Sequence, residues 1–184
     1  VEKVVKKFPS TLSYEDEKGR IPIQSAADNT LEYAPVLAKE GMKHKVGGED
    51  ARGGLLTVDP TFYGRNTLQW LIGVGNGEKR VDVFKELQKM GVLLKKDIQE
   101  YQLLCFACGY KERFEYLVDW DPNALIDTRV QNKPLVHSIT QEDALFPLLK
   151  AGFEKHPNIG GLLFIEDDAG NKALDTIFNR FGKD

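Results

Sequence analysis

The chain has 184 residues, of which 41% are hydrophobic and 29% are charged, and its formal net charge is −3. A chain of this length and apolar content can bury a core as one folded unit or two small ones, which argues against intrinsic disorder. The absence of a basic excess argues against a general binder of nucleic acid or of anionic membranes. No apolar run reaches the ~18–20 residues of a membrane span, and two cysteines cannot build a disulfide framework. The composition therefore predicts a cytoplasmic or nuclear protein.

A pattern of a turn followed by the start of a helix recurs along the chain. Residues 19–27 read Gly-Arg-Ile-Pro-Ile-Gln-Ser-Ala-Ala, and residues 64–72 repeat this pattern without the proline. Weaker copies lie at residues 102–108, 133–138 and 170–175. The copies share an apolar anchor, which is Ile23, Leu68, Leu104, Leu135 or Leu174. The anchors recur roughly every 30 to 45 residues, a spacing typical of repeats built from helix pairs.

Two further matches support an internal repeat. Gly-Gly-Leu-Leu occurs at residues 53–56 and again at residues 160–163, each time shortly before an acidic residue and a turn. Pro-x-x-Leu occurs at residues 9–12 and 122–125, each time about a dozen residues before a proline.

Helix starts and ends can be predicted from these copies. A proline in the first helical turn loses no hydrogen bond, so Pro22 and Pro134 are predicted to begin helices. A second apolar periodic segment follows each of four opening helices, at residues 33–37, 81–90, 114–118 and 145–149. Glycines at 41, 91 and 152 are predicted to end second helices in a left-handed conformation. The pattern predicts antiparallel helix pairs that must stack on neighbours to bury their apolar faces.

Residues 19–27 resemble the helix-opening motif of the ankyrin repeat family, G-x-T-P-L-H-x-A-A, with Ile for Leu and Gln for His. The other copies are more degenerate. The resemblance implies an all-α, ankyrin-type helix-pair solenoid of about four complete irregular repeats, with a partial repeat at each end. It also implies that the hydrogen bonds usually made between repeats by the Thr and His of the motif are mostly unavailable, with Thr67 retained.

The resulting domain prediction is a single ankyrin-like domain over residues 1–184. It comprises a partial repeat at 1–13, repeats at about 14–58, 59–97, 98–127 and 128–165, and a partial repeat at 166–184. Residues 1–9 align with residues 114–122 as the end of a second helix, and residues 173–184 resemble an opening helix. We therefore expect that the chain is a fragment of a longer array, or that another chain caps its ends.

Three motifs suggest chemistry, and each has a structural explanation that we prefer. Cys105 and Cys108 form a C-x-x-C pair, but the histidines lack zinc-site spacing and small packing residues are expected at these positions. Residues 73–80 are rich in glycine but do not match a phosphate-binding loop. The acidic turn at Asp167 lacks the ligand spacing of an EF-hand and is better explained by turn capping. We predict no enzymatic activity, no cofactor, no metal and no small-molecule ligand.

In ankyrin-like stacks the turn residues and the outward positions of the first helix line one concave face. By register, the resemblance assigns partner-binding positions to Lys18, Arg20, Phe62, Tyr63, Arg65, Trp70, Tyr101, Tyr110, Arg129 and Asn132. Aromatic and arginine side chains dominate binding hot spots. The other explanation of the aromatic residues is that they fill gaps between degenerate repeats; it suits Trp70 best, whereas Tyr63 suits a contact best.

The predicted function is that of a non-enzymatic protein–protein interaction module that binds a protein partner through its concave face. The alternative is a structural scaffold subunit, or a fragment of a larger ankyrin-repeat protein, within a permanent assembly. No nucleic-acid or membrane partner is expected.

Overall fold

The computed structural model describes residues 1–75 and 79–182. Most of these residues are helical, and the only regular sheet among them is a two-stranded hairpin of β1 (Arg129–Val130) and β2 (Lys133–Pro134). The predicted all-α class is confirmed. Within the described ranges, no helix is long and apolar enough to cross a bilayer.

Twelve α-helices lie in the described part of the chain, and short 3-10 helices connect some of them. The α-helices are α1 (Glu2–Lys7), α2 (Pro22–Asn29), α3 (Ala34–Lys43), α4 (Thr67–Gly73), α5 (Lys79–Lys89), α6 (Asp97–Glu100), α7 (Leu103–Ala107), α8 (Lys111–Trp120), α9 (Ala124–Asp127), α10 (Leu135–Ser138), α11 (Glu142–Lys155) and α12 (Ala173–Phe181). The 3-10 helices are Pro9–Ser13, Leu31–Tyr33, Glu49–Ala51 and Pro157–Ile159.

Short opening helices alternate with longer second helices, as the apolar pattern predicts. The opening helices α2, α4, α7 and α10 are each followed by a second helix, which is α3, α5, α8 or α11. The second helices bury the periodic apolar residues, including Leu37, Phe84, Leu117 and Leu148. The predicted order of opening and second helices is observed, and α2 packs on α3 and α7 on α8; the arrangement of four stacked helix pairs stays a prediction.

The chain divides into two compact units, Val1–Leu94 and Lys95–Asp184. In the first unit the core contains Ile23, Leu55, Leu68, Leu71 and Phe84, all of them buried. The core of the second unit is formed by buried side chains that include Leu104, Phe114, Leu117, Leu135 and Leu162. The single-domain assignment over residues 1–184 stays a prediction.

A hairpin, closed by a short ladder or by a single antiparallel bridge, precedes α4, α10 and α12. In the first unit, Val58 and Asn66 form an isolated antiparallel bridge just before α4. In the second unit, β1 and β2 precede α10, and a bridge between Glu166 and Lys172 precedes α12. A helix begins directly after each hairpin.

Hydrogen bonds between each hairpin and its helix correct one feature of the predicted repeat. The Leu68 N–H donates to the Leu55 carbonyl at 2.9 Å, and the Leu174 N–H donates to the Leu163 carbonyl at 3.0 Å. Leu163 therefore corresponds to Leu55. The two Gly-Gly-Leu-Leu motifs are structurally offset by one residue, so Leu162 takes the position of Gly54.

Leu162 adopts the left-handed conformation that its glycine counterpart adopts. Its φ is +81°, beside +91° at Gly54, and leucine rarely takes such a value. The side chain is fully buried and covers Gly152, where an added Cβ would lie 2.5 Å from the Leu162 Cγ. The free energy gained by burying the leucine side chain compensates for the cost of this unfavourable backbone conformation.

The register of α10 also differs from the prediction. Pro22 is the first residue of α2, as predicted, but Pro134 lies at the N-cap of α10, whose first residue is Leu135. The second helical position, which Ile23 occupies in α2, is therefore taken by Val136. Both Leu135 and Val136 are buried, so the shift preserves the apolar core.

Four of the five predicted anchors are buried, and one prediction is wrong. Ile23, Leu68, Leu104 and Leu135 are at most 2% exposed, whereas Leu174 is 44% exposed. In α12 the residue before Leu174, Ala173, is buried instead.

Two of the three glycines predicted to end second helices have a different role. Gly91 does have a left-handed φ of +70° after α5. Gly41 and Gly152, in contrast, lie inside α3 and α11 and are buried. A Cβ at Gly41 would lie 2.5 Å from the Gly53 carbonyl oxygen, and one at Gly152 would lie 2.6 Å from the Gly161 carbonyl oxygen. These glycines allow a helix to approach the backbone of the following turn.

We predict that Gly152→Ala lowers the free energy of unfolding by about 1–3 kcal/mol, because the new methyl group overpacks the contact with Gly161. The matched control is Gly109→Ala in the same unit, where an added Cβ meets no atom within 4 Å. This control should be neutral or stabilising by up to about 1 kcal/mol. Urea denaturation measures both; equal stability of the two variants would contradict the close-approach explanation.

Candidate interaction surface

The residues predicted to bind a partner fall in both compact units. Lys18, Arg20, Phe62, Tyr63, Arg65 and Trp70 belong to the first, and Tyr101, Tyr110, Arg129 and Asn132 belong to the second.

The first set begins at a turn closed by Asp16. Its Oδ1 accepts hydrogen bonds from the backbone N–H groups of Lys18 and Arg20, each at 2.9 Å, and Ser25 Oγ donates to its Oδ2 at 3.1 Å. These donors, the Arg20 N–H above all, hold the pKa of the Asp16 carboxyl at about 2, well below its ordinary value. The turn fixes the Lys18 backbone while the Lys18 side chain stays exposed.

Asp28 then joins two of the predicted residues that are far apart in sequence. Its Oδ2 accepts from Arg20 Nη1 and its Oδ1 accepts from Trp70 Nε1, both at 2.6 Å. Arg20 also pairs with Asp16, at 3.1 Å, and its side chain is only 11% exposed. The Arg20 guanidinium and the Trp70 indole N–H therefore bind carboxylates of their own unit, and these bonds hold the two side chains in place.

Aromatic side chains extend this arrangement outward. The rings of Phe62 and Trp70 are in contact, and the Tyr63 ring stands edge-on to Phe62 with 6.5 Å between centroids. Tyr63 is 94% exposed and Arg65 is also exposed. We call Arg20, Asp28, Phe62, Tyr63 and Trp70 the Tyr63 cluster. It presents one exposed phenol on a base of partly buried aromatic and ionic groups.

The second set is carried by three different elements. Tyr101 follows α6, and Tyr110 lies at the N-cap of α8, where the Arg113 guanidinium lies 3.9 Å from the centre of its ring. Both tyrosines are partly buried. Arg129 and Asn132 are exposed in the β1–β2 hairpin. Tyr110 thus covers a buried arginine, whereas the hairpin residues are accessible to a partner.

In two opening helices, α2 and α10, the third position holds a buried polar residue whose role the sequence did not reveal. In α2 this residue is Gln24, 1% exposed: its Oε1 accepts from the Ile21 N–H at 2.9 Å, and its Nε2 donates to the carbonyls of Thr57 and Val58 at 3.4 and 3.1 Å. Gln24 therefore links its own helix start to the hairpin that follows.

His137 has the same role in α10. It is 2% exposed, and its Nε2 lies 3.0 Å from the carbonyl oxygen of Ile165 in the next hairpin, while its Nδ1 lies 3.0 Å from Thr176 Oγ1. Thr67 Oγ1 adds a bond to the Gly54 carbonyl at 3.0 Å. Thr67 is thus retained, as expected. The expectation that the other bonds are unavailable is wrong for α2 and α10, where Gln24 and, in a shifted register, His137 supply them.

The two cysteines are free thiols that pack inside the second unit. Cys108 is buried and Cys105 is partly buried, and burial raises the pKa of both thiols to about 12. Cys108 Sγ lies 3.0 Å from the Leu104 carbonyl oxygen. Thiols with such pKa values are protonated at neutral pH, and thiolate is the form that reacts and binds metals. Across residues 1–75 and 79–182, no cluster of three or more His, Cys, Asp or Glu is arranged to hold a metal ion.

The two other motifs are the acidic turn at Asp167 and the glycine-rich segment at 73–80. Asp167 Oδ1 accepts from the N–H groups of Ala169 and Asn171 at 3.0 and 2.9 Å, which confirms the turn-capping explanation. These bonds, chiefly that from Asn171, lower the pKa of Asp167. Of the glycine-rich segment at 73–80, residues 76–78 lie outside the described residues.

A groove between α8 and α11 was not predicted. It has a volume of about 420 Å³ and an apolar base that includes Phe114, Val118 and Ala151. Phe146, 73% exposed, lies at its edge, and an ion pair of 2.7 Å joins Lys155 to Asp119. The sequence signal for this groove was the aromatic residues of α11 that lie outside the periodic apolar face that the helix buries.

Comparisons with family models, with curated proteins and with solved structures found no match to this chain.

Asp28→Ala should destabilise the protein by about 1–3 kcal/mol, because the Trp70 indole and the Arg20 guanidinium both lose a charged acceptor. Asp82→Ala is the control: Asp82 is 79% exposed and its ion pair with Lys85 spans 3.7 Å, so its loss should be near zero. Urea denaturation followed by circular dichroism gives both values. An Asp28→Ala variant as stable as the control would show that the Tyr63 cluster is not held by this carboxylate.

Proposed function

We propose that this chain is a non-enzymatic protein–protein interaction module that binds its partner through the turn that carries Tyr63. Tyr63 is almost completely exposed next to an ordered base, and this arrangement supports the proposal. Phe62 and Trp70 lie against each other beneath it, and Asp28 holds Trp70.

Exposed aromatic groups on an ordered base are suited to recognition. Tyrosine supplies a large contact area and a hydroxyl group while losing little conformational entropy on binding. A base that is ordered before binding further reduces the entropy cost of association. Arg65, exposed nearby in sequence, adds a charged group of the kind enriched at binding hot spots.

We further propose that the fold belongs to the ankyrin type. The repeated order of hairpin, short opening helix and longer second helix supports this assignment, as does the polar residue at the third helical position that binds the next hairpin. As part of the same proposal, the protein acts in the cytoplasm or nucleus, where its two free cysteines would stay reduced.

A permanent scaffold is the second candidate, and a separate observation favours it. Four phenylalanines of the second unit are more than half exposed, which is unusual for side chains of this size. They are Phe146, Phe153, Phe164 and Phe178. Contiguous exposed apolar patches mark interaction surfaces, and Phe146 and Phe153 line the same shallow pocket.

To test the module proposal, the 184-residue protein is used to capture a partner, which is then purified and titrated calorimetrically against parent and variants. Tyr63→Ala/Arg65→Ala should weaken binding about tenfold or more, as expected for hot-spot residues. The matched control replaces two exposed charged residues of α5, Glu86→Ala/Lys89→Ala, and should bind like the parent.

Circular dichroism shows whether both variants are folded. Equal affinity of all three proteins would reject the Tyr63 turn as the binding surface. If the isolated protein aggregates and binds no partner, the permanent scaffold becomes the better account.

A further inference from the structure

The groove between α8 and α11 lies between two internal helices of the second unit, and it has a definite direction. Lys155 pairs with Asp119 at 2.7 Å, close to the C-terminal ends of the two helices. Just beyond these ends, His156 Nε2 lies 2.8 Å from the Pro122 carbonyl oxygen. Lys111, the first residue of α8, lines the opposite end of the groove. The two helices therefore run in the same direction along it.

The interior of the groove is apolar and matches the length of a short helical stripe. Phe114 and Val118 of α8 and Ala151 of α11 line its base, and Phe146 at its edge is 73% exposed. The part of α8 that lines the groove, residues 111–119, rises about 12 Å at 1.5 Å per residue. Residues i and i+7 of a helix lie about 10.5 Å apart along its axis. The groove can therefore hold the apolar anchors of about two helical turns, the usual form of helix recognition in a groove.

Four further charges on the rim are sorted by sign along the groove. Lys111 and Lys150 lie on the side where the two helices begin, and both are exposed. Glu115 and Glu154 follow one turn later on the same two helices. None of these four forms an ion pair with another described residue, whereas the two charges at the C-terminal ends neutralise each other. One half of the groove is therefore cationic and the next half is anionic.

This order of charge favours one orientation of a bound helix. The N-terminus of a helix carries a partial positive charge of about +0.5, and its C-terminus carries about −0.5. A helix that lies antiparallel to α8 and α11 brings its N-terminus towards Glu115 and Glu154, and its C-terminus towards Lys111 and Lys150. Its dipole is then also opposite to the dipoles of both groove helices.

We propose that the groove between α8 and α11 is a second binding site, which takes an amphipathic helix of a partner protein. The helix lies antiparallel to α8 and α11, with apolar residues at i, i+4 and i+7 against Phe114, Val118 and Ala151. A basic residue near its N-terminus pairs with the two glutamates of the rim, and an acidic residue near its C-terminus pairs with the two lysines. The inference does not depend on the proposed function of the Tyr63 cluster, which belongs to the first unit.

Two synthetic peptides of about 14 residues, each labelled with fluorescein and held helical by a hydrocarbon staple on its polar face, test this site. The zwitterionic peptide has lysines in its first turn, leucines at i, i+4 and i+7, and glutamates in its last turn. The cationic peptide has lysines at both ends. Fluorescence anisotropy with the 184-residue protein should show at least about tenfold tighter binding of the zwitterionic peptide, because like charges oppose the cationic one at Lys111 and Lys150.

Reversal of the charge at one end of the groove should reverse this preference. Lys111→Glu/Lys150→Glu should bind the cationic peptide more tightly than the zwitterionic one, and the exposure of both lysines should leave the circular dichroism spectrum unchanged. The matched control, Lys39→Glu/Lys89→Glu, makes the same change of charge at two exposed lysines of the first unit and should keep the preference of the parent.

A further variant, Ala151→Trp, fills the base of the groove and should weaken the binding of both peptides at least about tenfold. A parent that binds neither peptide up to about 500 μM overturns the proposal. So does an unchanged preference in Lys111→Glu/Lys150→Glu, or binding by Ala151→Trp that equals that of the parent. A parent that sediments as a dimer, and that Ala151→Trp converts to a monomer, would assign the groove to a second copy and would also overturn the proposal.

Discussion

A buried hydrogen bond from the third residue of an opening helix to the hairpin that follows it sets the arrangement in both compact units. Gln24 provides this bond to the carbonyl of Thr57, and His137 provides it to the carbonyl of Ile165. The two carbonyls are equivalent, because each also accepts the N–H of the first residue of the next helix. A buried carbonyl or amide without a partner costs about 1–3 kcal/mol, so these positions require a polar side chain of the right reach.

The position of each hairpin then determines what lies at its tip. Close packing of Gly41 on Gly53 sets the approach of α3 to the chain that enters the first hairpin, and Gly152 on Gly161 does the same for α11. With the hairpin before α4 fixed at both ends, its turn displays Tyr63. The proposed binding surface therefore depends on contacts deep within the unit, where a change would alter its presentation without touching the partner.

The sequence predicted the helices well because their apolar residues recur with helical spacing, and it predicted the exposure of Tyr63. It did not predict which residues make the links between elements. Gln24 and His137 share no chemical type beyond polarity, and the register of α10 shifts by one residue at Pro134. The sequence also did not show that Asp28 binds both Arg20 and Trp70, because the contact between Asp28 and Trp70 joins residues about 40 positions apart. The exposure of Leu174 contradicted its register, because α12 buries the preceding residue, Ala173, instead.

Replacement of Gln24, followed by amide hydrogen exchange in the next hairpin, tests directly whether the bond from α2 fixes that hairpin. Gln24→Leu keeps the size of the side chain and removes its hydrogen bonds, whereas Gln24→His installs the residue that α10 uses at the same position. We expect the leucine variant to lose about 1–3 kcal/mol of stability and its Asp59 and Thr67 amides to exchange at least about tenfold faster, while the histidine variant retains most of the protection. Unchanged protection in the leucine variant, or equal loss in both variants, would contradict this expectation.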